Sequence, residues 1–386
     1  MKNSFLILLL VLFAALSVVA CAPEANQVPF FGSDTSEVPD SEDSVANPAT
    51  ACDDNDSEDF YLCDAPWVFA STIPEGVGTG SWTYDPDFFM PGVSVPSIMI
   101  ANDGSYRMFV NCDGTDDGSG TMKKCLLFSE DGLNWEGDDR ILDASLFTSE
   151  PGWQTSDVSV VYLPDGTYRL IIVGVINSML SVDADHSIQG TRIWSAVSTD
   201  GDHWTPESGE RYVLPETDAG MAGVWDIIWS SKLEAYVAYY VGDWWDESWD
   251  CDSGNQGACD GDWNGVRMAI SYDGKNFVPF QVENRTPNNH TDPCVMIQGG
   301  TGDLLLFAFN FVTPPGPSDE EKETEEGELE VFGPSGDWIN FEGPGTPIVM
   351  NGFDDTFIDP EILSLPDGPV VYVGGPGGLY RFRRGQ

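Results

Sequence analysis

Short apolar runs alternate with tight polar turns along most of this chain. Asp157-Val158-Ser159-Val160-Val161-Tyr162-Leu163-Pro164-Asp165-Gly166-Thr167-Tyr168-Arg169-Leu170 is the clearest instance: an apolar strand, a Pro-Asp-Gly turn and a second apolar strand. Proline presets φ early in such a turn and glycine takes the positive φ that follows, so the stretch predicts a β-hairpin. The phrase recurs at Val95-Pro96-Ser97-Ile98, Trp225-Asp226-Ile227-Ile228, Thr291-Asp292-Pro293-Cys294 and Asp359-Pro360-Glu361-Ile362, each followed by a turn and another apolar run. Counted from Val95, Asp157, Asp226, Asp292 and Asp359, the copies are 62, 69, 66 and 67 residues apart. So even a period points to a radial or solenoid repeat.

A second phrase falls between the copies: Ser129-Glu130-Asp131-Gly132-Leu133-Asn134-Trp135, Ser198-Thr199-Asp200-Gly201-Asp202-His203-Trp204 and Ser271-Tyr272-Asp273-Gly274-Lys275-Asn276-Phe277, with a worn copy from Ser335 to Phe341. Ser and Asp side chains bond nearby backbone, Gly takes the positive φ, and the aromatic ring is expected to fold back onto the sheet. Two hairpins per period make four antiparallel strands, which is one blade of a propeller. The fifth period ends after a third strand at Leu379–Phe382, so an early strand, expected around Trp67–Thr72, closes the last blade. The predicted fold is all-β, a five-bladed β-propeller over residues 67–386.

Two segments precede it. Residues 1–20 carry a short positive end and an apolar core, and Val18-Val19-Ala20-Cys21 resembles the bacterial lipoprotein cleavage box, in which the cysteine is lipidated. Ala22 follows where an Asp would suggest inner-membrane retention, so in a cell with two membranes the outer one is expected. Residues 21–66, after that cleavage, contain no Lys or Arg and are rich in Asp, Glu, Ser and Pro; they are expected to form an acidic disordered tether. No later run is long and apolar enough to span a bilayer, leaving the lipid as the expected membrane attachment.

The formal charge of −48 makes nucleic-acid binding an unsuitable function, because phosphate recognition needs a basic surface. Solubility in a salty medium explains that charge more directly than a cation site does. Among eight cysteines, setting Cys21 aside for the lipid leaves the neighbours Cys52–Cys63, Cys112–Cys125 and Cys251–Cys259 as plausible disulfides, with Cys294 a buried thiol. A monomer is expected.

Numbering strands outward from the axis puts the heads of the inner strands, and hence Asp157, Asp226, Asp292 and Asp359, around the mouth of a central funnel. Both turn phrases then lie on the opposite face. The funnel side also carries the long loops. One of them, Gly242 to Gly265, holds Trp244, Trp245, Trp249 and Trp263 among aspartates. Indole faces suit the C–H surface of sugars, although packing of the loop on itself explains them equally well. Asp250-x-Asp252-x-Gly254 has calcium-loop spacing without a closing Glu, and calcium is the one cofactor the sequence points to.

Five such blades, inner strands opening with Asp-Pro, and Ser-x-Asp-Gly-x-x-Trp turns together resemble the five-bladed glycoside hydrolases of families 43 and 32. The resemblance covers residues 67–386. It implies an Asp on the first blade as base or nucleophile, a second-blade Asp that tunes the acid, and a third-blade Glu as general acid. Asp157 fits the second role; Val95 stands at the first, and Asp226 stands where the Glu is expected. Asp85 and Asp87 lie just upstream, but spacing does not carry them to the funnel. Three readings follow: a degenerate saccharide-binding propeller, an active hydrolase with relocated carboxylates (two of the four funnel aspartates), and an envelope scaffold.

Overall fold

In a computed structural model, the described residues are 72–73, 80–112, 122–176, 191–213, 222–230, 233–243, 264–280, 290–298, 303–310, 328–333, 341, 345–353 and 357–384. All belong to one compact unit, Val45–Gln386. The strands in chain order begin with β1 (Thr72–Ile73) and β2 (Ser81–Pro91). Blade one is β3 (Ser94–Ile100), β4 (Tyr106–Cys112), β5 (Lys123–Ser129) and β6 (Glu136–Leu142). Blade two is β7 (Trp153–Tyr162), β8 (Tyr168–Ile176), β9 (Thr191–Ser198) and β10 (Thr205–Glu207). Blade three is β11 (Ala222–Ser230), β12 (Ala235–Asp243), β13 (Asn264–Ser271) and β14 (Val278–Pro279). Blade four is β15 (His290–Gln298), β16 (Leu304–Asn310), β17 (Glu328–Phe332) and β18 (Thr346–Pro347). After β19 (Val349–Asn351), blade five takes β20 (Ile358–Leu363), β21 (Val370–Gly375) and β22 (Gly378–Arg384).

The inner strands β3, β7, β11, β15 and β20 each touch the next, and β20 returns to β3, so the ring closes. The fold is the five-bladed β-propeller read from the repeat. Closure by an N-terminal strand also holds, but the strand is β2, antiparallel to β22, rather than Trp67–Thr72. β2 buries Trp82 and Phe88, and it ends at the Gly92 turn that feeds β3, which is where an outer strand must deliver the chain to blade one. Thr72–Ile73 pairs instead in parallel with Ile297–Gln298 at the far end of β15.

The core is divided among the blade junctions. One cluster joins blades five and one through Val370, Tyr372, Ile100 and Met108; the next joins blades one and two through Met99, Phe109, Leu170 and Trp194. The other three junctions are filled in the same way. Each fully buried large side chain in such a wedge contributes about 1.5–3 kcal/mol relative to exposure.

The Ser-x-Asp-Gly turns form with the predicted chemistry. Ser129 Oγ accepts the N–H of Gly132 at 2.9 Å, and Asp131 Oδ1 accepts those of Leu133 and Asn134 at 2.8 Å each. Ser198 with Asp200, and Ser271 with Asp273, repeat the motif. The expected folding of the aromatic ring onto its own sheet holds for Phe277, which lies against Trp225. Trp135 and Trp204 are half-buried and reach the preceding blade, Trp135 donating to Tyr372 Oη at 3.0 Å and Trp204 lying 5.8 Å from the Phe109 ring. Phe277 also reaches it through its N–H, which donates to the Arg211 carbonyl at 2.9 Å. The turn is therefore a wedge between blades. A Cβ on Gly132 would come within 2.8 Å of Leu365, and one on Gly201 within 2.9 Å of Met99, so the close approach needs glycine as much as the positive φ does.

Cys112 and Cys125 form the expected disulfide between β4 and β5, and Cys294 is a buried free thiol. Residues 1–66, with Cys21, Cys52 and Cys63, lie outside the described residues. So do Trp244, Trp245, Trp249, Asp250, Cys251, Asp252 and Cys259.

Candidate functional site

Every inner strand slips register at the same place. Ser94 pairs with Asn111 and Ser97 with Phe109, so Val95 and Pro96 together face one residue. Ser156–Asp157, Val224–Trp225, Asp292–Pro293 and Asp359–Pro360 are the equivalent two-residue bulges. A bulge of this kind bends the strand and re-aims its side chains, here at the propeller axis. Four of the bulges open in the left-handed region, at Val95 (φ 51°), Val224 (φ 46°), Asp292 (φ 53°) and Asp359 (φ 51°). Asp tolerates that conformation, whereas β-branched Val is strained in it.

The bulges surround a small recess that opens to solvent. Its lining includes Val95, Asp157, Asp226, Asp292 and Asp359, so the four aspartates expected at the funnel do converge. They are not in equivalent places, however. Asp292 and Asp359 share the register of Val95; Asp157 is one residue further along its strand, and Asp226 two. Near-equal spacing from one Asp to the next conceals this, because the bulge offers several positions that face the axis.

Three residues beyond the sequence reading complete the site. Glu361 occupies the same register as Asp226, the first place after the bulge, and lines the recess, as does Ser97. Alignment on the bulge rather than on Asp would have found Glu361. Lys124, on β5, is 1% exposed, and its Nζ donates to the carbonyl of Val95 at 3.1 Å. A lysine at an inward position of an apolar strand was the available signal. Asp85 is elsewhere: on β2, at the outer part of blade five, it is bound by Arg381 and Arg383. Asp87 is exposed on the same strand.

Most of the carboxylates are tied to the next blade. Asp157 Oδ2 accepts the N–H of Val224 at 3.3 Å, Asp226 Oδ2 that of Val295 at 2.5 Å, Asp292 Oδ2 that of Asp359 at 3.3 Å, and Glu361 Oε1 that of Ile98 at 2.8 Å. Four of the five junctions thus carry a carboxylate-to-backbone link at the axis. Asp359 is the exception. It is 7% exposed, lines the recess, and its carboxylate has no hydrogen-bond partner among the described residues.

Packing acids this closely shifts their titration. Burial pushes Asp226 and Asp292 up to about 6, and the charge of Asp157 adds to the effect on Asp292. Asp359 is raised well above the carboxylate range by burial and then by Asp292 and Asp157, with Lys124 opposing. Glu361 is raised by burial and by Asp226. Burial lowers Lys124 to about 8 against the pull of Asp157 and Asp359. The recess therefore holds carboxyls that shed their protons reluctantly around one buried ammonium. Among the described residues, no group of three or more His, Cys, Asp and Glu side chains is disposed to hold a metal ion.

No protein-family model and no curated protein matches the chain. Solved structures do. A candidate glycoside hydrolase from Parabacteroides distasonis superposes with a TM-score of 0.52 at 14% identity, over 83% of this chain and 99% of the other. A candidate glycosidase from Bacteroides thetaiotaomicron gives 0.50 at 14% identity, over 82% and 97%. A variant of a family 32 β-fructofuranosidase from Bombyx mori, in complex with sucrose, gives 0.50 at 13% identity, over 78% and 63%. At these identities the likeness is one of fold: a propeller of the family 43 and 32 glycoside hydrolase type.

Proposed function

We propose that this chain is an envelope-anchored lipoprotein whose glycosidase-like propeller binds saccharide in the axial recess and is degenerate in hydrolysis. One observation carries the reading: Val95 stands in the register that holds Asp292 and Asp359 on two other blades. Glycoside hydrolysis needs one carboxyl to protonate the leaving oxygen and a second to attack carbon or activate water. An isopropyl group does neither. Asp157, Asp226, Asp292 and Glu361 are engaged with backbone N–H groups, a structural duty that hydrolysis would have to share.

The sucrose complex of the β-fructofuranosidase supports carbohydrate as the ligand class, at the level of fold analogy. The recess has the mixed walls a sugar needs, with Val95, Val158, Val224, Trp225 and prolines beside the carboxyls. Anchoring rests on the cleavage box at Cys21 and the acidic segment behind it. The envelope, and the outer membrane where two membranes exist, is the location this implies.

A second reading, an active hydrolase with relocated carboxylates, is favoured by Asp359, a recess carboxyl whose titration burial and its acidic neighbours raise and which has no hydrogen-bond partner among the described residues. The two separate on one experiment. Wild-type protein and a Ser97→Trp variant, whose indole fills the recess, are compared on a glycan array and then in a hydrolysis screen with the glycans retained. Binding abolished by Ser97→Trp, without product, supports the first reading; turnover supports the second; equal binding by both proteins places the ligand elsewhere.

A further inference from the structure

We infer that the recess takes saccharides carrying a free primary amine, with the ammonium of an amino-sugar unit received at Asp359 beside Asp292 and Asp157. The inference rests on the saccharide-binding reading and deepens it.

Asp359 supplies the reason. A carboxylate that is 7% exposed, without a hydrogen-bond partner among the described residues and aimed into a cavity is an acceptor waiting for a donor. Its surroundings decide which donor. Asp292 on β15 and Asp157 on β7 face it with like charge, and among the described residues Lys124 on β5 is the cation that opposes them, already committed to the Val95 carbonyl. Asp226 on β11 and Glu361 on its own strand add two more acids to the lining. A uronic acid or sulfated sugar would meet these five carboxyls with charge of the same sign. A neutral hydroxyl would leave their repulsion unrelieved, and so would an N-acetyl group, which carries no charge. An ammonium relieves it and provides three N–H donors.

A bare cation fits less well. Val95, Val224, Pro96, Pro293 and Pro360 give the recess apolar walls that match the C–H faces of a pyranose ring, and no three-ligand metal set lies among the described residues. The raised titration of Asp359 and Asp292 agrees with this picture, because a cation that favours their ionised forms displaces protons as it binds.

The test uses the full chain and titration calorimetry at about pH 6.5. The probes are oligomers of glucosamine and of galactosamine, each as free amine, as N-acetyl derivative and as the neutral hexose, with spermidine as a non-sugar amine. The expected result is free-amine affinity about tenfold or more above both counterparts, as one charge-assisted contact allows. Proton release, read from the dependence of the binding heat on buffer, should accompany it in the wild-type protein. Asp359→Asn should bring the free-amine affinity down to that of the neutral sugar; asparagine tolerates the left-handed backbone there, and a thermal melt checks folding. Free-amine and neutral sugars binding alike would overturn the inference and leave saccharide binding standing. Spermidine binding as tightly as the amino sugars would overturn it in favour of a simple cation site. Binding of none of the sugars would remove both readings.

Discussion

Glu361 Oε1 accepts the backbone N–H of Ile98 at 2.8 Å, fastening the last blade to the first at the axis across 263 residues of sequence. β2 closes the same junction at its outer edge by adding a fourth strand to blade five. The ring is therefore joined at both its inner and outer ends, and the inner join is also a wall of the recess.

Glu361→Gln should keep this bond, since an amide oxygen still accepts, while removing a buried charge that burial and Asp226 disfavour. Its stability at about pH 8 is expected to equal or exceed that of the wild type. Glu361→Ala leaves the Ile98 N–H unpaired and should cost about 1–3 kcal/mol. Urea unfolding of the three proteins measures both effects; an alanine variant as stable as the glutamine variant would deny the junction its importance.

The turn glycines separate two contributions. Gly166, in the Pro-Asp-Gly turn, has φ 80° and nothing within 4 Å of a would-be Cβ. Gly166→Ala is therefore expected to cost about 1 kcal/mol, from backbone conformation alone. Gly132→Ala carries that cost plus the overlap with Leu365 and Leu363, worth about 1–3 kcal/mol more. Equal losses in the two variants would mean that the second turn does not wedge the blades.

The contrast between these turns and the recess explains how much could be read from the chain itself. Blade number, strand order and the turn hydrogen bonds follow from local chemistry repeated at a fixed period, and the Cys112–Cys125 link from the nearness of the two cysteines along the chain. The inner-strand bulges do not. A bulge changes which residue faces the axis without changing composition, so Asp226 stands at the repeat spacing from Asp292 although Glu361 is its counterpart in register. Lys124 belongs to the third strand of its blade, and its reach to Val95 is visible only once the sheet is folded. The closing strand expected around Trp67–Thr72 falls too early in the chain, because the strand that enters blade one is the one that must close the ring.

Stability should fall as pH rises from about 5 to about 8. Carboxyls whose titration is raised by folding contribute stability that is fully present below their unfolded values and lost as pH passes through the folded ones, near 6 for Asp226 and Asp292. Asp131 and Asp273 act oppositely, because burial there is outweighed by the hydrogen bonds of the turn; their contribution is lost only near pH 2, outside this window. General self-repulsion of so acidic a chain has the same sign as the recess effect, and Asp359→Asn distinguishes them. Melting temperatures should show that variant gaining on the wild type at pH 8 and not at pH 5. A gain independent of pH would contradict the assignment.

Cys21→Ser should release the protein from the membrane fraction, because the acyl group is the attachment that the cleavage box implies. Detergent partitioning of wild type and variant measures this. Unchanged partitioning would remove the anchor from the account.

The central claim is that a propeller of glycoside hydrolase type holds sugar here without cleaving it, because Val95 fills the place of a carboxylate. The direct measurement is product formation from the tightest-binding saccharide, incubated at large excess over the protein. The account predicts that the saccharide is recovered intact while its binding is abolished by Ser97→Trp. Product exceeding one equivalent of protein, and lost in Asp157→Asn, would contradict it.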